Sequence, residues 1–462
     1  GAALKTTAAQ TATGKPIVEW QFSNDQKAAL LELLEKADGT PVYATNISIG
    51  RTYAMNDASH GGKGQAVTMA EIKGASKPDE RVIICAHVQE PGSNDNATGV
   101  ASLLGLATAL KKMVDSGAIA RPERTITFLW GDEMNLATLW LNSHPDEKAK
   151  VISALDMDMV GEDPDKTGGV MRIEKTPDPS AKYNYTLDTL PWETGSYYDE
   201  TFADPDGQFV RLPDSHTLWG AGSYEGMFQE GFFLNDLYMY AAQGVINYHD
   251  SGFRVDVCPY EGGSDHSRFL AQNVPALLTW HFTDYTYHSS VDTLNMSSAR
   301  EMENVSITTM ATALMIANAT DGNEALALEI LGTVMMAALD RFDMEQANTE
   351  NHRIYTLAHG KNFAAALDNE KEVLQAWADW YKEALASPAK YLLDAPSQIF
   401  RDTQAELLNL LEQRLALALA CADEYLQDEV THTGLVKIDA AAPTFSEPGN
   451  IEFWYCQNCG KL

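Results

Sequence analysis

The chain reads as an α/β protein with a mixed, largely parallel sheet flanked by helices and a helical C-terminal region. Three observations predict this. Short apolar runs rich in β-branched residues (RVIICA, TITFLW, ISALDM, PALLTW) alternate with helical patterns, the signature of βα units around a parallel sheet. Several of these runs stop abruptly at a charged residue, as strands do at the carboxyl edge of such a sheet. Beyond Met296 the texture becomes uniformly helical.

Taken in order, residues 1–16 are small and polar and are expected to lack structure. The segment SNDQKAALLELLEKADG predicts a capped amphipathic helix ending near Gly39, and YATNISIG to AEIKG predicts strands around a glycine-rich turn. RVIICA is followed by a loop and the helix GVASLLGLATALKKMVDSG. TITFLW is followed by a helical stretch to about Asn142, and ISALDM by a long irregular region at 163–262. PALLTW closes the series. The irregular region is rich in aromatics and turn residues, as in PWETGSYYDETFADPDG and LWGAGSYEGMF, and long irregular stretches in compact enzymes are usually functional loops. It is expected to wall a cleft. Of the later helices, the one over SSAREMENVSITTMATALMIANAT packs on the sheet, and the rest form a separate unit. The expected organisation is therefore an α/β domain over 17–320 and a helical region with a CxxC tail over 321–462.

Composition excludes some partners. The 462 residues carry 33 Lys and Arg against 65 Asp and Glu, a net charge of −32, which argues against nucleic acid and anionic membranes. No continuous apolar run reaches the roughly 18 residues of a membrane span. Five cysteines are too few for a disulfide scaffold. Cys85 and Cys421 fall inside a strand-like and a helical run and are expected to pack as small apolar groups, while CQNC (Cys456, Cys459), half of a zinc ribbon without its partner half, is expected to be a local disulfide or a frayed thiol pair. The opening GAALKTTAAQTATGK looks trimmed, so secretion or periplasmic export is an open expectation.

Five ligand-type residues lie at or after strand ends, in the order His87, Asp95, Glu133, Asp158, His288. Imidazole and carboxylate together suit zinc. Each has an ordinary reading as well. Asp95 stands just before a helix beginning near Ala97 and competes with Asn94 and Asn96 for the cap. His87 reads equally as a loop histidine, and Asp132 and Glu133 as solvent-facing acids. Asp158, two residues after Asp156, ends an apolar strand where an unpaired carboxylate is costly. After His288, Ser289 and Asp292 are placed to support it.

The blocks CAHVQEPGSNDNATG, FLWGDEMN, LDMDMVGED, GGSDHSRF and YHSSVDT, in that order over roughly residues 80–300, resemble the signature blocks of the zinc aminopeptidase family that also contains the transferrin receptor and glutaminyl cyclase. The nearest pattern is the subgroup with a proline-containing loop after the first His and a single Glu in the third block. The resemblance implies a zinc exopeptidase fold and one or two Zn²⁺ ions acting on a peptide or small amide. It implies His87, Asp95 and Asp158 around one ion, and Asp95, His288 and a third-block Glu around the other. The activity it implies is exopeptidase hydrolysis by metal-activated water, most often at the amino end.

Two departures matter. The family pattern has consecutive Glu-Glu, base then ligand, where this chain has Asp132, Glu133, Met134. If Glu133 is the ligand, Asp132 is the base. If Glu133 is the base, Met134 stands at the ligand position, and thioether suits zinc poorly. The reading favours Glu133 as base. Gln89 replaces an Asp that in the family steers the first His, and it is expected to accept that ring's hydrogen bond. Asp265 and His266 are expected to support the site, and Tyr287 either stabilises an oxyanion or packs. Alternatives are a single-zinc glutaminyl-cyclase-type transferase and a non-catalytic binding protein on the same fold; oligomeric state is not legible.

Overall fold

The computed structural model describes residues 66–184, 211, 214, 216, 217, 219, 222–282, 284–358 and 363–427, with four short strand segments outside them. Two of these, Leu4–Lys5 and Ser48–Ile49, pair antiparallel, and the first falls inside the stretch expected to lack structure. Leu435–Ile438 and Phe453–Cys456 pair likewise. The helix expected at 23–39, the whole aromatic stretch at 191–207, and Cys459 lie outside the described residues.

A seven-stranded sheet forms the centre. Its strands are β1 (Thr68–Ile72), β2 (Lys77–His87), β3 (Arg124–Gly131), β4 (Val151–Met157), β5 (Met171–Glu174), β6 (Val255–Cys258) and β7 (Ala276–His281), in spatial order β1-β3-β2-β4-β7-β5-β6. The four central strands β3, β2, β4 and β7 run parallel, and β1 and β5 join them antiparallel. Their near-continuous burial explains why these runs are uniformly apolar rather than alternating.

Helix α1 (Ala97–Asp115) follows β2 and buries Thr98, Gly99, Ser102, Leu103, Leu106 and Leu110, an i, i+3, i+4 stripe. It is long and apolar enough on length and composition to cross a membrane, but this stripe packs on the sheet and on α5. Helix α2 (Leu136–Ser143) follows β3. The expected irregular region at 163–262 is more ordered than its sequence implies. It supplies β5, β6 and the 15-residue helix α3 (Leu234–Tyr248). After the short helix α4 (His266–Leu270) and β7, helix α5 (Ala299–Asn318) packs against α1, β2 and β3 as expected.

Helices α6 (Glu324–Ala358), α7 (Phe363–Leu392) and α8 (Gln398–Gln427) pack on one another. Helix α7 runs through Pro388, further than its periodicity marked. One contiguous core links this unit to the sheet: Phe232, Phe233 and Leu237 meet the same apolar cluster as Val334, Trp377 and Leu385.

Candidate metal centre

Every expected ligand lies beyond the carboxyl edge of the parallel strands. β2 delivers His87 as its last residue, β3 leads to Glu133, β4 to Asp158, and the loop after β7 to His288. Asp95 sits at the mouth of α1, between the two imidazoles. Its Oδ1 is 3.6 Å from His87 Nε2 and its Oδ2 is 3.1 Å from His288 Nε2. Asp158 Oδ1 lies 3.0 Å from His87 Nε2.

The surrounding backbone is fixed by polar contacts the sequence only half reveals. The cap of α1 is Asn96, whose Oδ1 accepts from Gly99 N at 3.1 Å, so Asp95 is free of capping duty. Asn96 also accepts from Met159 N (3.0 Å) and donates Nδ2 to Met157 O (3.0 Å), gripping the chain on both sides of Asp158. Asp292 does not support His288. It accepts from the backbone N–H groups of Asn94 (2.9 Å) and Asp95 (3.0 Å), locking the Asp95 loop. Ser289 donates to Thr286 O and likewise serves the loop. Met134, Met159 and His288 have φ of 61°, 54° and 50°, three of the four non-glycine residues with positive φ among those described. Such strain clusters where a fold over-determines a functional geometry.

Gln89 corrects a second expectation. It does not reach the His87 ring. Its Nε2 donates to Glu133 Oε2 at 3.1 Å, and its Oε1 accepts from Glu133 N at 2.8 Å. The longer amide reaches across to the β3 loop and orients the carboxylate there. Glu133, His87 and Asp158 offer ligand atoms within 4.8 Å of one another, and so do His87, Glu90 and Asp95. Glu90 is the residue that sequence reasoning missed; its Oε2 lies 3.4 Å from His288 Nε2. Glu133 lines the cavity, whereas Asp132 is not among the lining residues.

The expected support pair is fully buried. His266 N donates to Asp156 Oδ2 at 2.8 Å, and its Nε2 lies 2.7 Å from Glu174 Oε1. Glu174, a second missed residue, also accepts from the N–H groups of Glu261 (2.9 Å) and Gly262 (2.7 Å), which pins the Gly262–Ser264 wall of the cavity. Asp265 is buried with both oxygens unbonded; burial, and next Asp156, push its carboxyl well above the usual range.

The site is an acidic cup. Burial opposes protonation of His87, but Asp158 outweighs it and raises the imidazole to about 11. Burial likewise opposes protonation of His288, and Asp95 and Glu90 raise it to about 10. Burial, next to Asp158, lifts Glu133 to about 7. Burial lifts Asp95 to about 9 despite His288. Burial also raises Glu90, but His288 outweighs it and holds that carboxyl at about 2.

Both ring nitrogens of His87, Asp95 Oδ1 and Asp158 Oδ1 are buried without a hydrogen-bond partner. Burying such atoms unsatisfied costs about 1–3 kcal/mol each, so a concentration of them is accounted for by a cation. The donor set of imidazole and carboxylate fits Zn²⁺.

The cup opens into a cavity of about 130 Å³, lined by the apolar Met159, Trp219, Leu278, Trp280 and Tyr287, by Gly262–Ser264, and by the carboxylates and His288 themselves. Tyr287 stacks on His288 with ring centroids 3.9 Å apart and meets Phe282 edge-on at 5.1 Å. Burial, and next Asp95, raise its phenol well above the usual value, so it keeps its proton.

Comparison with known proteins gives a family match over part of the chain. Residues 68–222 match the model of Peptidase family M28, a span that contains His87, Asp95, Glu133 and Asp158 and ends before His288. No curated protein matches the chain. Among solved structures, the chain is similar to an aminopeptidase from Aneurinibacillus sp. strain AM-1 (22% identity over 54% of this chain and 47% of that one, TM-score 0.34). It is also similar to a zinc aminopeptidase from Bacillus subtilis (14%, 55% and 50%, TM-score 0.37) and to an Acidobacteriales bacterium glutaminyl cyclase (14%, 55% and 74%, TM-score 0.33). The chain spans about half the length of the two aminopeptidases.

Proposed function

We propose that this chain, which carries a Peptidase family M28 domain over residues 68–222, is a zinc-dependent aminopeptidase that releases one residue at a time from peptides or small amides. One observation supports it most: two histidines 201 positions apart, His87 and His288, converge on the two oxygens of Asp95 within 3.6 Å, with Asp158 beside them.

His87, Asp95, Asp158 and His288 would hold the metal. Bound zinc supplies a Lewis acid for the scissile carbonyl and lowers the pKa of water. Glu133, oriented by Gln89, takes the proton from the attacking water and delivers it to the leaving amine. The protonated Tyr287 hydroxyl donates toward the developing oxyanion. The cavity takes one side chain against Trp219, Trp280 and Leu278, which favours an apolar terminal residue. The surplus of carboxylates in its lining favours a free, charged amine over a blocked one.

The test uses the zinc-loaded protein on peptide amides with free and N-acetylated amino ends. Release of apolar residues from free ends only is expected. Equal cleavage of acetylated substrates, or no release by a zinc-loaded folded protein, overturns the reading; ring closure of an amino-terminal Gln without any cleavage would instead identify a cyclase. Glu133→Gln should lower kcat by about 10²–10⁴-fold with zinc content unchanged. The base must be ionised to work, and the Glu133 carboxyl lies at about 7. Activity should therefore fall as pH drops through that value, or lower once a cation draws it down.

A further inference from the structure

We propose that Glu90 is a ligand of a second zinc ion, filling the place that the third sequence block leaves empty and freeing Glu133 to act as the base. This rests on the metallopeptidase reading above and goes beyond it by fixing the number of ions and the job of each carboxylate.

The cup divides into two halves that share Asp95. On one side stand His87 Nε2, Asp158 Oδ1 at 3.0 Å and Asp95 Oδ1 at 3.6 Å. On the other stand His288 Nε2, Asp95 Oδ2 at 3.1 Å and Glu90 Oε2 at 3.4 Å. Each half thus offers one imidazole and two carboxylates, three protein ligands with a fourth position open, as catalytic zinc requires. With its two oxygens facing two different imidazoles, Asp95 would serve both ions of a two-ion site.

Glu133 does not serve the second half. Its carboxylate gathers with His87 and Asp158 and is held by the Gln89 amide, whereas Glu90 gathers with Asp95 and His87 and also approaches His288 Nε2; Met134 offers only a thioether. Glu90 reaches the vacant corner because it follows β2 by three residues, in the Pro91-Gly92 loop that turns back to Asp95. Asp95, the carboxylate common to both halves, is buried with its Oδ1 unbonded, and Glu90 and His288 line the cavity beside it.

Zinc is counted by titration of the chelator-stripped full chain in a metal-buffered solution, and located by anomalous diffraction. The wild type should bind two ions. Glu90→Gln should keep the first at wild-type affinity and lose the second by more than 100-fold, beyond the 10–100-fold of an outer hydrogen-bonding partner. Glu90→His, which restores a ligand, should recover two ions. Retention of the first ion certifies that Glu90→Gln is folded. A wild type that binds one ion, or a Glu90→Gln protein that binds two with unchanged affinity, overturns this proposal and leaves the peptidase reading standing. A wild type that binds no zinc overturns both.

Discussion

Asn96 fixes more of the site than its residue type announces. One side chain caps α1, accepts from Met159 N and donates to Met157 O, so the orientation of Asp158 depends on the residue beside Asp95. Replacing it with Ala leaves Met157 O and Met159 N without partners in a buried place. Asn96→Ala should cost about 1–3 kcal/mol of stability and weaken the first zinc by about 10–100-fold, as loss of an outer-sphere partner does. A Tm within a degree of wild type together with unchanged zinc affinity would contradict this. At this scale the sequence was largely legible. His87, Glu133 and Asp158 stand at or just beyond the end of an apolar run, where burial of a charge demands a partner, and Asp95 and His288 stand in the loops that follow such runs. Glu90 was not legible, because a carboxylate beside Pro91-Gly92 faces inward or outward according to a turn geometry that residue types do not specify. The role of Gln89 was misplaced for a similar reason: an amide in a loop can bond any neighbour within reach, and here Glu133 is the nearer one.

Among the elements, the central strands were readable because burial on both faces makes them uniformly apolar. β5 and β6 were not. Each is four residues long, and MRIE and VDVC carry charges that read as loop. Helix α3 was hidden by its surroundings, since beside its apolar stripe of Leu234, Leu237, Tyr238, Ala241 and Val245 it buries the polar Asn235, whose amide bonds the backbone of Thr176. The loop from β2 to α1 depends on a glycine. A Cβ on Gly92 would stand 2.0 Å from Asp292 Oδ2 and 2.5 Å from Asp95 O. Gly92→Ala therefore expels Asp292 from the N–H groups of Asn94 and Asp95 and shifts Asp95. The expected result is a loss of about 1–3 kcal/mol from overpacking with weakened binding of both ions, measured by denaturant unfolding and zinc titration. Unchanged affinity would show that Asp95 is held by other contacts.

Across the whole molecule, the helical region is joined to the α/β part by buried charge as well as by apolar packing. Asp214, five residues before the cavity-lining Trp219, accepts from Lys175 Nζ at 2.9 Å and pairs with Arg341 of α6. Arg211 pairs with Glu345 of α6 at 2.9 Å and with Glu370 of α7. The segment that carries Trp219 to the cavity is thus tied to helices far along the chain. Burial raises the Asp214 carboxyl, but Arg341 and Lys175 outweigh it and hold it at about 2. In the unfolded chain an Asp titrates near 3.9, so the folded state is favoured by ionisation: its contribution is complete above about pH 4 and is lost as pH falls toward 2. Asp214→Asn should remove that part of the acid dependence. It should also cost about 2–3 kcal/mol at neutral pH, the size of the carboxyl's shift, because Lys175 and Arg341 lose their shared anion but keep Asp178 and Glu345 as partners. Urea unfolding of both proteins from pH 7 down to pH 2 checks this: the two stability curves should converge as acid protonates the wild-type carboxyl. Parallel curves with a constant gap would mean that Asp214 acts through packing, and that the segment bearing Trp219 is not held by charge.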